Sequence, residues 1–159
     1  MRISWKELAV DLTGQSSDAL LTEWRWLVPA TYELRMVSTL GDAFLEDESG
    51  AIHWLDVGSA EMTRIADDAD EFHRLRQQPH NADTWFEPQL VGALLEGNPG
   101  LGAGRCFSYI FPLTLGGEFA PENFEQCSLR THFDALGKMQ WQLKDLPIGT
   151  RFTSVKSER

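Results

Sequence analysis

The chain is poor in cysteine: Cys106 and Cys127 are the only two in 159 residues. That count excludes a small disulfide-stapled scaffold, which relies on several bridges. Both cysteines sit in strand-like flanks and read as small core or semi-buried thiols. A bridge between them stays open only if two strands place them opposite each other. Long apolar runs are missing as well. No window approaches the roughly 18 consecutive apolar residues of a membrane span. Met1-Arg-Ile-Ser-Trp-Lys-Glu7 is not followed by the apolar core of a signal peptide. A cytoplasmic location without membrane association is the expectation.

Positive charge is scarce. Lys and Arg total 14 against 24 Asp and Glu, a formal net charge of -10. Binding DNA or RNA begins by neutralising phosphates with Lys and Arg, so the balance argues against nucleic acid as a direct ligand. It suits a basic protein partner. Motifs of chemistry are absent too. His53, His73, His80 and His132 show no metal-ligand spacing with a second His or with Cys. Cys127 and His132 read as a strand Cys and a helix-start His rather than a nucleophilic pair. Gly116-Gly117-Glu118 and the Asn98–Gly104 loop lack the Gly-x-x-x-x-Gly-Lys-Ser/Thr pattern that cradles phosphates. No catalytic residue, metal or cofactor is therefore predicted.

What is present is a core and a pattern of short elements. Hydrophobic residues make up 42%, with six Trp and nine Phe, enough for one packed domain. Trp24, Trp54, Phe72, Trp85, Phe107, Phe111 and Phe133 read as core. Trp5 and Trp26 are candidates for exposure, and Trp141 is open between core and interface. The clearest local signal is a hairpin over Ala43–Leu45 and Ile52–Val57. Glu46, Asp47, Glu48, Ser49 and Gly50 form its connection, and Gly50 is suited to positive φ.

Around the hairpin, the capping-box spacing of Ser4 and Glu7 predicts a helix over 4–12. Leu20, Trp24 and Leu27 predict a second helix over 19–27, capped by Ser17 or Asp18. Strands are expected over 34–40, 62–66, 106–111, 124–129 and 151–155. Asp67 or Asp68 caps a helix with Phe72 and Leu75 inside. Pro79 reads as punctuation, and a further helix starts at Asp83 or Thr84 and runs through Phe86, Leu90, Val91, Leu94 and Leu95. Ser128 or Thr131 caps a long helix over 130–146 with Phe133, Leu136 and Met139 at the 3–4 spacing. The whole reads as a single-domain α+β protein, a mainly antiparallel sheet packed by helices. Residues 1–30 form an N-terminal helical segment, residues 31–155 the α+β domain, and 156–159 a frayed tail.

Several segments occur in a telling order: Gly41-Asp-Ala-Phe-Leu-Glu-Asp47, His53-Trp-Leu-Asp56, Ile65-Ala66 with Glu71-Phe72, Cys106-Phe-Ser-Tyr-Ile-Phe-Pro-Leu-Thr-Leu-Gly-Gly-Glu118, Glu122-Asn-Phe124 and His132-Phe133. Over about residues 20–152 the chain resembles the C-terminal domain of Tdi-type immunity proteins, which neutralise type VI secretion DNase toxins. The Pro-x-x-x-Gly-Gly-Glu segment with its downstream Glu-Asn-Phe is the more specific part. The hairpin pattern is looser and is also similar to the wider immunity superfamily named after Smi and Knr. The resemblance implies a non-catalytic protein that binds a cognate toxin and blocks its active site or assembly.

Partner-binding candidates are the acidic Asp42, Glu46, Asp47, Glu48 and Asp56, together with Trp26. Clustered carboxylates speed encounter with a basic face. Two rivals stand beside this reading: a housekeeping adaptor or dimeric interaction protein of the same fold, and a hydrolase using Asp42 and Asp56. Partner identity and oligomeric state are left open by the sequence.

Overall fold

The computed structural model describes residues 3–146. The expected strand over 151–155 and the 156–159 tail lie outside them. Among the described residues, six α-helices accompany two antiparallel sheets in a single α+β domain. Four consecutive strands form a meander, β1 (Glu33–Val37), β2 (Ala43–Glu46), β3 (Ile52–Asp56) and β4 (Glu61–Ala66), in that spatial order. A separate pair, β5 (Arg105–Tyr109) and β6 (Phe124–Ser128), makes the second sheet.

The register of the expected hairpin explains the layering. Ala43 pairs with Leu55 and Leu45 with His53, while Phe44 pairs with Trp54 and Glu46 with Ile52. Alternate side chains point to opposite faces, and both faces are covered. Ala43, Leu45 and Leu55 join Leu20, Trp24, Phe133 and Leu136 on one side. Phe44 and Ile52 join Phe72, Phe86, Val91 and Leu94 on the other. Helices α2 (Ser17–Leu21) and α6 (Leu129–Leu143) supply the first layer. Helices α3 (Ala69–Leu75), α4 (Pro79–Phe86) and α5 (Pro88–Gly97) supply the second.

The caps follow the sequence signals. Asp68 accepts from the Glu71 N–H and begins α3, and Ser128 accepts from the Thr131 N–H and begins α6. Three expectations are corrected. The first helix, α1 (Trp5–Leu8), has the Ser4–Glu7 capping box but stops after one turn. The chain then runs extended: the Val10 N–H bonds to the Val37 carbonyl, and the Thr39 N–H bonds to the Leu8 carbonyl. This places Leu8 in one core and Val10 in the other. The second helix is capped by Ser16 and passes at Thr22 into a 3-10 turn ending at Trp24. The helix expected to start at Asp83 or Thr84 is two helices: Pro79 opens the first, as a start rather than a stop, and Pro88 opens the next, because a fixed φ suits a helix's first turn.

His132 is fully buried and joins three segments. Its Nε2–H donates to the Gly41 carbonyl at 2.9 Å, while Nδ1 accepts from the Ser108 hydroxyl at 2.7 Å. Burial pushes its pKa down to about 4, so it is held neutral. Gly41 has φ +88, and a Cβ there would lie 2.1 Å from His132 Nε2. Glycine is required on both counts. The same contact fixes the position of the next residue, Asp42.

Candidate functional site

A cavity of about 270 Å³ opens at the end of the meander where β2 starts and β3 stops. Asp42 immediately precedes β2 and Asp56 ends β3, so continuing the β2–β3 register puts them opposite each other on the Trp54 face. Asp42 Oδ2 accepts from Trp54 Nε1–H at 3.1 Å, and Oδ1 accepts from the Val57 N–H at 3.2 Å. Asp56 Oδ1 accepts from the Gly58 N–H at 3.0 Å. Glu87, Thr84 and Trp85 form another wall, at the junction of α4 and α5. Glu87 adopts a left-handed conformation, φ 50 and ψ 59, directly before Pro88, a residue that disfavours right-handed helix at its predecessor. Tyr109, at the end of β5, with Leu113 and Phe119, completes the rim.

The electrostatics are one-sided. Among the described residues no Lys, Arg or His pairs with Asp42, Asp56 or Glu87. Burial, with the Asp56 carboxylate beside it, pushes Asp42 up to about 8, against the opposing pull of its Trp54 and Val57 hydrogen bonds. Glu87 is raised by burial and by Asp83. The Tyr109 phenol is raised by burial and then by Asp42, Asp56 and Glu87.

The Pro112–Glu118 segment forms the loop beside this cavity. A 3-10 turn over Leu113–Leu115 ends at Gly116. The Gly117 N–H then bonds to the Pro112 carbonyl at 3.0 Å. A Cβ at Gly117 would lie 1.9 Å from the Phe111 carbonyl oxygen, so the close return of the chain requires glycine. Asn123 staples the loop: its Oδ1 accepts from the Phe111 N–H, and its Nδ2 donates to the Phe111 and Glu118 carbonyls, each at 2.8 Å. Phe124 packs inward against Tyr109 and Phe119. The Gly-Gly-Glu and Glu-Asn-Phe motifs are thus a loop frame. What the frame presents is apolar: Ile110, Phe111 and Phe119 are 53%, 51% and 48% exposed. Phe111, expected in the core, is on the surface, because its strand has ended at Tyr109.

The six candidate residues fall in three places. Asp42 and Asp56 are in the cavity. Glu46, Asp47 and Glu48 are at the opposite end of β2, in the hairpin turn. There Glu46 pairs with Arg35. Asp47 accepts from the Ser49 N–H at 2.9 Å, the Ala51 N–H at 3.0 Å and His53 Nε2 at 2.8 Å. Hydrogen bonds from Ser49, then from His53, hold its carboxyl well below the usual range. Gly50 takes φ +92, and Glu48 is exposed at the tip.

Trp26 lies across the molecule's helical layer. It stacks on Trp24 at 5.8 Å, donates from Nε1 to the Glu23 carbonyl and meets Trp141 edge-on at 5.9 Å. The open member of that trio is Trp141, 52% exposed with Lys144 Nζ over its ring. Trp5 is half-buried beneath Arg76 and against Phe86. Cys106 and Cys127 do stand opposite each other across β5 and β6, as free thiols.

Glu87, Tyr109, Trp85 and Phe119 were not singled out as site residues from the sequence. The one available signal was the Glu87-Pro88 pair, which marks a chain reversal between helices. No helix of the described residues is long and apolar enough to cross a membrane. No curated protein matches the chain. Residues 66–140, which run from the end of β4 through the stapled loop into α6, match the family model of the T6SS immunity protein Tdi1, C-terminal, and so bear out the resemblance to Tdi-type type VI secretion immunity proteins over that segment.

Proposed function

We propose that this protein is a non-catalytic immunity protein that sequesters a cognate type VI secretion toxin, a DNase in the most specific form of the reading. The supporting observation is that the segment matching the Tdi1 model frames a loop with three large exposed apolar side chains beside an acidic cavity that has no internal cation. Apolar anchors next to uncompensated charge are the composition of a protein-binding surface. A DNase must carry basic residues to hold phosphates, so an acidic protein meets it with the right sign. The protein then acts in the cytoplasm, where the toxin's target is. Co-expression with the secretion-linked toxin encoded beside it tests this. The expected results are survival of the cells and a stable one-to-one complex of the purified pair. Death of the cells with every such neighbour contradicts the reading.

One observation favours a second reading. Asp42 and Asp56 share a concave site, and Asp42 is raised to about 8. A carboxyl with a raised pKa beside a second carboxyl group is the kind of pair that acid–base hydrolysis uses. Turnover of a small substrate by the purified protein, lost in Asp56→Asn, would establish it over the immunity reading.

A further inference from the structure

We propose that the cavity is a socket for an arginine side chain of the partner protein, with Leu113 and Phe119 at its apolar rim and Ile110 and Phe111 exposed on the adjoining stretch of chain. This rests on the immunity-type reading above and names the contact that reading leaves open. Three features choose the occupant. First, the charge is complementary: the cavity holds Asp42, Asp56 and Glu87 and is lined by no Lys or Arg. Second, its walls include Trp54, Trp85 and Tyr109. A guanidinium is planar, weakly hydrated and attracted to aromatic faces, which suits it to such a site better than a compact ammonium. Third, the cavity, about 270 Å³, is below the roughly 300–1,000 Å³ of drug-sized sites, a size for one side chain. A metal ion is a poor occupant, because among the described residues no group of three or more His, Cys, Asp or Glu, these three carboxylates included, is spaced to hold one.

A second exposed aromatic surface fits a basic partner less well. Around Trp26 and Trp141 the lining includes Lys138, and Lys144 sits over the Trp141 ring. On the cavity side, the rim residues are held by the Asn123 staple and the Gly117 close approach, so little ordering remains for the binding event. Arrival of a cation also supplies what Asp42 lacks. The groups around Asp42 are Asp56 from β3, Glu87 from the α4–α5 junction, and Tyr109 and Cys106 from β5, all neutral or acidic. An incoming guanidinium therefore drives ionisation of Asp42, whose free-protein pKa is about 8. Binding releases a proton below that pH and tightens as pH rises toward it.

The test uses the full chain and a probe that needs no toxin. Nα-acetylarginine amide and its uncharged citrulline counterpart are titrated into ¹⁵N-labelled protein, with the Trp54 indole N–H, which bonds to Asp42, as reporter. The Trp26 indole serves as the remote control. The expected result is a saturable shift of the Trp54 signal by the arginine compound alone, with affinity rising roughly tenfold from pH 6.5 to 9. Glu87→Gln and Asp56→Asn are each expected to weaken it at least threefold. Because Asp42→Asn risks altering the cavity, those two variants carry the mutational arm. Equal response to citrulline, response at Trp26 without Trp54, no response to either compound, or unchanged affinity in both variants overturns the socket. If arginine binds here but no neighbouring toxin is neutralised, the immunity reading fails and the socket stands. If a toxin is neutralised and arginine behaves as citrulline does, the reverse holds.

Discussion

The two ends of the β2–β3 hairpin carry similar acidic residues and use them in opposite ways. At the turn, Asp47 is spent on backbone and side-chain donors, and Glu46 is paired with Arg35. At the other end, Asp42 and Asp56 face each other with no cation, inside a cavity. The first arrangement lowers a carboxyl's pKa and the second raises one. Charge composition alone does not distinguish a structural carboxylate from one waiting for a partner; the number of donors within reach does.

The largest break in this comparison is Gly41→Ala. It forces a Cβ onto His132 and a side chain onto a left-handed backbone. A loss of about 3 kcal/mol or more is expected, visible as a lowered denaturant midpoint. Unchanged stability would mean that His132 does not hold the cavity end in place.

Asp42→Asn is expected to act in the opposite direction. Asp42's folded pKa, about 8, is above its unfolded value. The native state therefore holds the extra proton between about pH 4 and 8, and stability falls as pH rises through that window. His132 has the reverse sign. Its folded pKa, about 4, is below the unfolded value, so its contribution is full above about pH 6.5 and is lost as pH falls toward 4. The two offset each other below about pH 6.5, leaving a net decline in stability from there to pH 8. The substitution removes that decline and stabilises the protein by about 2 kcal/mol at pH 9, after allowing for the acceptor oxygen it gives up. A flat wild-type profile from pH 6.5 to 8 in urea titrations contradicts the burial of Asp42.

Asp47→Asn sharpens the contrast with a smaller change of the other sign. It is expected to lower the melting temperature at neutral pH. The Asp47 contribution is present above about pH 4 and is lost on acidification, because its folded pKa is depressed. A melting temperature equal to wild type would show that the turn does not use this carboxylate. Smallest in stability are Ile110→Ser and Phe111→Ser, expected to stay within about 0.5 kcal/mol of wild type. Each is expected to weaken the toxin complex at least tenfold by calorimetry, as loss of an interface anchor does.

The hairpin, the Asp68 and Ser128 caps and the α6 stripe were legible in the sequence because each is set by neighbours within a few residues. The early end of α1 was not, since it depends on Val10 reaching the edge of β1 across the fold. Pro79 reads as a stop and Pro88 falls inside the helix expected from Asp83 or Thr84; that each proline opens a helix is resolved only by the chain on either side. The Gly-Gly-Glu and Glu-Asn-Phe motifs were visible as words, but their meaning is a close approach of Gly117 to Phe111 and an Asn123 staple. The cavity was half legible. Asp42 and Asp56 were named, but Glu87 and Tyr109 come from elements 30 or more residues away in the chain, and no local pattern links them.

The central claim is that the cavity end of the sheet, and not the acidic turn, is the binding end. Hydrogen exchange of the purified toxin complex against the free protein tests it most directly. Slowed exchange confined to residues 84–88 and 107–119 is the result predicted. Slowed exchange at residues 46–50 or around Trp26 and Trp141, with the cavity segments unchanged, would contradict it.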